Sequence, residues 1–266
     1  MTPTLRRIHA ALLMALCAGA ILALPHVSFA VPAAAGAAAQ DSSPTANAEK
    51  SLHKSQFKDV KVSVNDGIAT LTGTVALYDI KTDAARRVLH ARGVTGVRNL
   101  IQVGGPDIPD AQLENKLRDK LAYDRVGWGN EFDAIGVTVH NGVVTVAGNA
   151  HTPWNRESAM ALIASTPGVK DVVGDIDVDP PSPMDDQIRI ATARAIYDYP
   201  ALHKYFLDPA KPIRISVHNG NVELYGTVDT QGDKQIAYMR ASSVPGVFSV
   251  KNYLQVANQP TESAQQ

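Results

Sequence analysis

Apolar and polar residues alternate with period two in three stretches of the chain: Val60, Val62 and Val64; Ile135, Val137 and Val139; Ile213, Ile215 and Val217. That period predicts a strand with one buried face. Each stretch runs into Asp66-Gly67, Asn141-Gly142 or Asn219-Gly220, dipeptides that supply the positive φ angles of a tight hairpin turn. Alternation resumes beyond the turn, through Ala69 and Leu71, Val144 and Val146, and Val222 and Leu224. Gly73, Gly148 and Gly226 take the next inward position, where a missing side chain lets a neighbouring helix come close. The period then becomes helical, carried by Ala84, Val88 and Leu89, by Ala159, Leu162 and Ile163, and by Ile236, Ala237 and Met239. Gly93, Gly168 and Gly246 follow in the place of a left-handed helix cap, and a short strand ends each stretch, as in Val97 to Val103. A further helix is predicted ahead of the second and third hairpins. Asp110 opens it before Leu113, Leu117 and Leu121, and Asp185 or Asp186 before Ile188, Ala191, Ala195 and Ile196. The first hairpin has a shorter, weaker candidate around Ala48 to Ser55.

Aligned on their turns, the stretches share every spacing. The second Gly follows the first by six positions and the third comes twenty later, before Val94, Val169 or Val247; Val103, Val178 and Val256 close the stretches ten residues on. Gapless spacing in three copies is an internal repeat. The predicted fold class is α+β: three tandem two-layer units, each helix, β-hairpin, helix and strand, with a three-stranded sheet against two helices. The units are assigned to 48–103, 107–179 and 185–256, with Pro-containing linkers at 104–109 and 179–183. The weak first helix of the first unit is expected to leave apolar sheet surface, which docking onto the second unit would cover.

Ahead of the repeats, Arg6 and Arg7 precede the apolar run from Ala10 to Leu24, and Ser28-Phe29-Ala30 places small residues before a cleavage site after Ala30. This predicts a secretory signal peptide over 1–30, too short for a membrane span, and a periplasmic mature protein. Cys17, the only Cys, lies in mid-run behind the large Leu16, which does not suit lipid attachment. Residues 31–47 read as a flexible leader rich in Ala, Ser and Pro, and 257–266 as a disordered tail.

The turn V-x-(N/D)-G, the Gly six later and the closing G-V-x-x-V-x-N-x-L-x-V resemble the BON domain, named for bacterial osmotically induced and nodulation proteins. Gly246 to Val256 carries the closing segment most fully and Gly93 to Val103 nearly as well. The second unit departs, with Gly174 in place of the Asn and with Asp175 and Asp177 around Ile176. The resemblance runs from Ala48 to Val256. It implies two helices against a three-stranded sheet, a periplasmic or envelope setting, and roles in phospholipid binding, envelope integrity and stress protection. It supplies no catalytic residue, and the matching glycines are structural.

Across 266 residues, 25 Lys and Arg stand against 26 Asp and Glu, a balance unlike the basic footprint of a nucleic-acid binder. Gly-x-Ser-x-Gly, His-Glu-x-x-His and P-loop patterns are missing from the sequence, so neither an enzyme nor a cofactor is predicted. No metal is predicted either. His140 and His218 share a turn position without further ligands, and Asp175, Asp177 and Asp179 alternate on a strand without Ca²⁺-loop spacing and read as a solvated face.

Charge is uneven: 48–103 has nine basic and five acidic residues, 107–179 six and twelve, and 185–256 eight and seven. The basic first unit offers Arg86, Arg87, Arg92 and Arg98, around its second helix, to anionic headgroups. In the third unit Tyr199, Tyr205 and Phe206 beside Lys204 are candidates for a membrane interface. Trp128 and Phe132 precede the second hairpin, and Trp154 starts the helix after it. The expected function is that of a non-catalytic periplasmic protein associating with anionic phospholipid, in envelope maintenance or osmotic stress protection. The alternative is a chaperone-like or protein–protein interaction module using exposed apolar or edge-strand surface and an envelope protein partner.

Overall fold

The structure is a computed structural model that describes residues 43–125 and 129–257. The expected signal peptide, most of the expected leader, Trp128 and nearly all of the expected tail lie outside the described residues. The described residues belong to one compact unit. The first unit consists of α1 (Pro44–Ser51), β1 (Val60–Asn65), β2 (Ile68–Val75), α2 (Tyr78–Leu89), β3 (Gly96–Asn99) and β4 (Gln102–Val103). The second consists of α3 (Asp110–Tyr123), β5 (Ala134–His140), β6 (Val143–Ala150), α4 (Pro153–Ala164), β7 (Asp171–Gly174) and β8 (Asp177–Val178). The third has α5 (Pro183–Tyr197), the short α6 (Lys204–Leu207), β9 (Arg214–His218), β10 (Asn221–Tyr225), β11 (Thr227–Val228), α7 (Gln231–Ser242), β12 (Ser249–Asn252) and β13 (Gln255–Val256).

In each unit the hairpin is antiparallel and the last strand runs parallel to its return arm, which is therefore central. Both central turn residues have positive φ, as in Asp66 (49°) and Gly67 (78°), which is the type I′ geometry that matches strand twist. The role expected of Gly73 and its counterparts is corrected. Gly73 has φ of 117°, and a Cβ there would be driven into the carbonyl oxygen of Asp59, just ahead of the partner strand, not into a helix. Gly93 does not cap α2, which ends at Leu89 with His90 as its cap residue; a Cβ on it would meet Pro44 of α1.

The leader boundary is also corrected. Ser43 accepts the N–H of Ala46 and Pro44 begins α1, a side-chain cap and a pre-set φ that start a helix inside the stretch read as flexible. Ala48, Leu52 and Phe57 then complete the first core with Leu71, Val88 and Ile101. The first sheet is therefore covered by its own unit rather than by docking.

The expected single last strand is two short pieces. The kink buries Ile101, Ile176 and Leu254. In the first unit the Asn99 amide donates to the carbonyl of Lys81 on α2, while its oxygen accepts the N–H of Ile101. Asn252 does the same with Lys234 and Leu254. The second unit has Gly174 there, and Arg156, at the α4 position equivalent to Lys81, donates instead to Asp175 and to the carbonyl of Ile176.

The units meet through unlike contacts. Tyr78 of α2 packs on the second core, and Lys81 lies 3.8 Å from Asp171. Between the second and third units, Phe132 enters the third core. Arg189 of α5, fully buried, donates to Asp179 at 2.9 Å and to the carbonyl of Val217 at 3.1 Å, and pairs with Asp186. This overturns the reading of Asp179 as part of a solvated face: the chain leaves β8 there and carries the carboxylate into the joint. Asp175 and Asp177 remain exposed.

His151 borders that joint, edge-on to Phe132 at 5.9 Å. Burial, and then the Arg189 cation, hold its pKa below the ordinary His value despite Asp186, Asp179 and Asp133. The unfolded chain thus takes up the proton first, so stability falls as pH drops below about 6.5 and levels off beneath the folded-state pKa. The urea midpoint should be lower near pH ~5.5 than near pH ~7.5, and His151→Gln should shrink that difference. An unchanged difference would exclude His151 as its source.

Candidate functional site

The four arginines of the first unit do not form one cluster. Arg86 and Arg87 extend from α2, one turn after Asp83, and hydrogen-bond its two oxygens at 2.6 and 2.7 Å. Burial pushes the Asp83 pKa up, but the bonds from Arg87 and Arg86 outweigh it and hold the carboxyl below its ordinary range. Both guanidiniums line a cleft of about 860 Å³ between α2 and α4, with Arg156 and Met160. Arg156 is likewise taken, by Asp175 at 2.8 Å. Arg156 is thus matched by its own carboxylate, whereas Arg86 and Arg87 share the single charge of Asp83 and keep a net +1 between them. Arg92, exposed, lies beyond the end of α2.

Arg98 is on the other side of the sheet. Val97 packs into the first core, so Arg98, its neighbour in β3, points to the outer face, where it pairs in register with Thr70. Lys61 of β1 lies on the same face, opposite Thr72. The residues of all four strands of this unit include no Asp or Glu. Arg98 and Lys61 are exposed and, among the described residues, make no ion pair. Ile68 and Leu100, 42% and 52% exposed, border them. Lys61, Ile68 and Leu100 were missed by sequence reasoning. The signal was available: these are the positions out of phase with the core valines.

The third-unit candidates divide as well. Tyr205 is removed from the surface set, because it is buried and its hydroxyl donates to Asp233 while accepting the Asp229 N–H. Lys204 is tied back to Asp229 at 2.7 Å and Asp233 at 3.1 Å, and these bonds raise its pKa. Tyr199 carries the Arg240 guanidinium 5.5 Å from its ring centroid. Phe206 stays open at 58% exposure, beside Leu207 at 68%, with its ring against Tyr197 at 5.3 Å. His140 and His218 are exposed at the ends of β5 and β9.

Among solved structures, the chain aligns with the C-terminal domain of CdsD, the structural protein of the Type III secretion system of Chlamydia trachomatis. Identity is 15%, over 80% of this chain and 96% of that one, with a TM-score of 0.22. The PrgH periplasmic domain aligns at 10% identity, over 75% and 95% of the two chains, with a TM-score of 0.18. These TM-scores are too low to bear on architecture or role. No curated protein matches the chain. The family model described as BON domain matches three times, at 40–105, 109–180 and 201–258. The third match starts after α5, whereas the first two include the helix ahead of the hairpin. With three matches spread over well more than half its length, the chain belongs to the BON domain family.

Proposed function

We propose that the protein is a non-catalytic periplasmic module that associates reversibly with anionic phospholipid at the cell envelope, in envelope maintenance or osmotic stress protection. The acid-free outer sheet face of the first unit carries this reading, with Lys61 and Arg98 between exposed Ile68 and Leu100. Two cations near an anionic leaflet contribute about 1 kcal/mol each, and the apolar residues add contact without insertion. The open Phe206 and Leu207 give the third unit a second point of contact. Among the described residues no helix is long and apolar enough to cross a membrane, in keeping with attachment from one side.

Anionic vesicles should sediment the protein at low salt, and less of it at high salt. Lys61→Gln with Arg98→Gln should weaken binding about 30-fold, the equivalent of about 2 kcal/mol. Arg86→Gln, on α2 across the sheet from this face, should change it little. Absence of binding, or binding indifferent to salt and to the paired substitution, would exclude this surface.

One observation favours a protein partner instead. Phe248 and Met184, 86% and 71% exposed, flank the turn Asn219–Gly220. Phe248 donates its N–H to the Gly220 carbonyl, and Asp185, next to Met184, accepts the N–H groups of Asn219 and Gly220. If this patch holds unfolded clients, Phe248→Ser with Met184→Ser should abolish suppression of client aggregation measured without vesicles.

A further inference from the structure

A groove of about 730 Å³ runs between the second and third units, along β5, the edge strand of the second sheet. Arg214, the first residue of β9, lines it and is half-buried. Among the described residues its side chain makes no hydrogen bond or ion pair. The two fully buried arginines differ in this respect: Arg125 has Asp133 at 2.7 Å and Arg189 has Asp179 at 2.9 Å. Holding a guanidinium out of water without a counter-ion is costly. Burial accordingly pushes the Arg214 pKa down, and the neighbouring Tyr197 and Asp133 do not restore it. Lys211 lines the same groove, exposed and without an ion pair among the described residues. Arg118, also on the wall, is already engaged by Glu114 at 2.6 Å.

The opposite wall is uncharged. Gly136, Thr138, Thr145 and Ala147 supply it from the second sheet. Counted back from the turn, Gly136 holds the place in β5 that Arg214 holds in β9. Its φ lies outside the left-handed range, and a Cβ on it would come no nearer than 3.8 Å to other atoms, at the Ala147 carbonyl. The backbone does not demand glycine there; its effect is to leave room.

We propose that this groove binds a phosphate-bearing anion, with Arg214 as its main charge partner, Lys211 as the second cation and the hydroxyls of Thr138 and Thr145 as donors. A guanidinium fork matches two phosphate oxygens. The same chemistry comes from a phospholipid headgroup or from free phosphate. The site lies away from the first unit's outer sheet, so it stands or falls apart from the bilayer reading.

The test is calorimetric titration of the full chain with inorganic phosphate, with dihexanoyl phosphatidic acid below its micellar concentration, and with dihexanoyl phosphatidylcholine as the zwitterionic control. Arg214→Gln should weaken anion binding by about 10-fold or more, and without ligand its melting temperature should not fall, since an unpaired cation is being removed. Gly136→Leu should block binding by filling the groove while every charge stays in place. Lys61→Gln with Arg98→Gln should leave it intact. Phosphatidic acid binding more tightly than phosphate assigns the site to a headgroup, and equal binding assigns it to free phosphate. Failure of both anions to bind, equal binding of phosphatidylcholine and phosphatidic acid, or anion binding undiminished in Arg214→Gln and Gly136→Leu, overturns the proposal.

Discussion

Arg189→Ala will lower the stability of the protein by about 3–5 kcal/mol, the cost of stripping one partner from a buried ion pair. The truncation leaves the Asp179 carboxylate enclosed without its cation and frees the Val217 carbonyl that the guanidinium also serves. Asp179 comes from the end of the second unit and Arg189 from the first helix of the third, so the loss falls on the joint. Amides of β9 should exchange faster in the variant, and those of β2 should keep their protection. The pair is not fully satisfied, since Nε of Arg189 and the hydroxyl of Thr192 lie buried without partners. Replacing both charges, Arg189→Met with Asp179→Leu, should therefore recover most of the stability. A urea titration in which Arg189→Ala loses less than about 1 kcal/mol would mean that the joint relaxes and lets water reach Asp179.

The second large effect is Gly148→Ala, expected to cost about 3 kcal/mol or more. The residue has φ of 123°, and the added methyl carbon would be forced into the carbonyl oxygen of Ala134 on the adjacent strand. Strain from such a φ alone is about 1–3 kcal/mol, and here β5 must also move. Gly136→Ala is the internal control, because nothing obstructs that methyl group and alanine loses less backbone freedom on folding. The two urea midpoints should separate widely. Equal midpoints would show that the start of β5 yields at little cost.

Much of this architecture is legible in residue order because its causes are local. Period-two valines and the Asn-Gly or Asp-Gly pairs placed all three hairpins, and their φ angles agree. Less legible were features made by long-range contact. Tyr205 reads as an interfacial aromatic until Asp229 and Asp233, 24 and 28 residues on, claim its hydroxyl. Arg98 was grouped with the arginines of α2 through nearness in sequence, although strand parity with Val97 sets it on the opposite face of the sheet. The first helix reads only as a weak candidate around Ala48 to Ser55 because α1 buries a single residue, Ala48, too little to show a period. The departure at Gly174 reads as a weakened motif, but Arg156 makes the same tie between helix and strand from the other side.

The two junctions have unequal consequences for how such a gene can be rearranged. A recombination breakpoint within 104–109 would part surfaces joined by Tyr78 and the partly exposed Lys81–Asp171 contact. Both fragments would leave with complete cores. A breakpoint at 180–183 would send Asp179 one way and Arg189 the other, leaving the carboxylate bare and the guanidinium with only the partly exposed Asp186. Shuffling of these repeats should therefore transmit the second and third as an inseparable couple, with the first gained or lost as a single cassette.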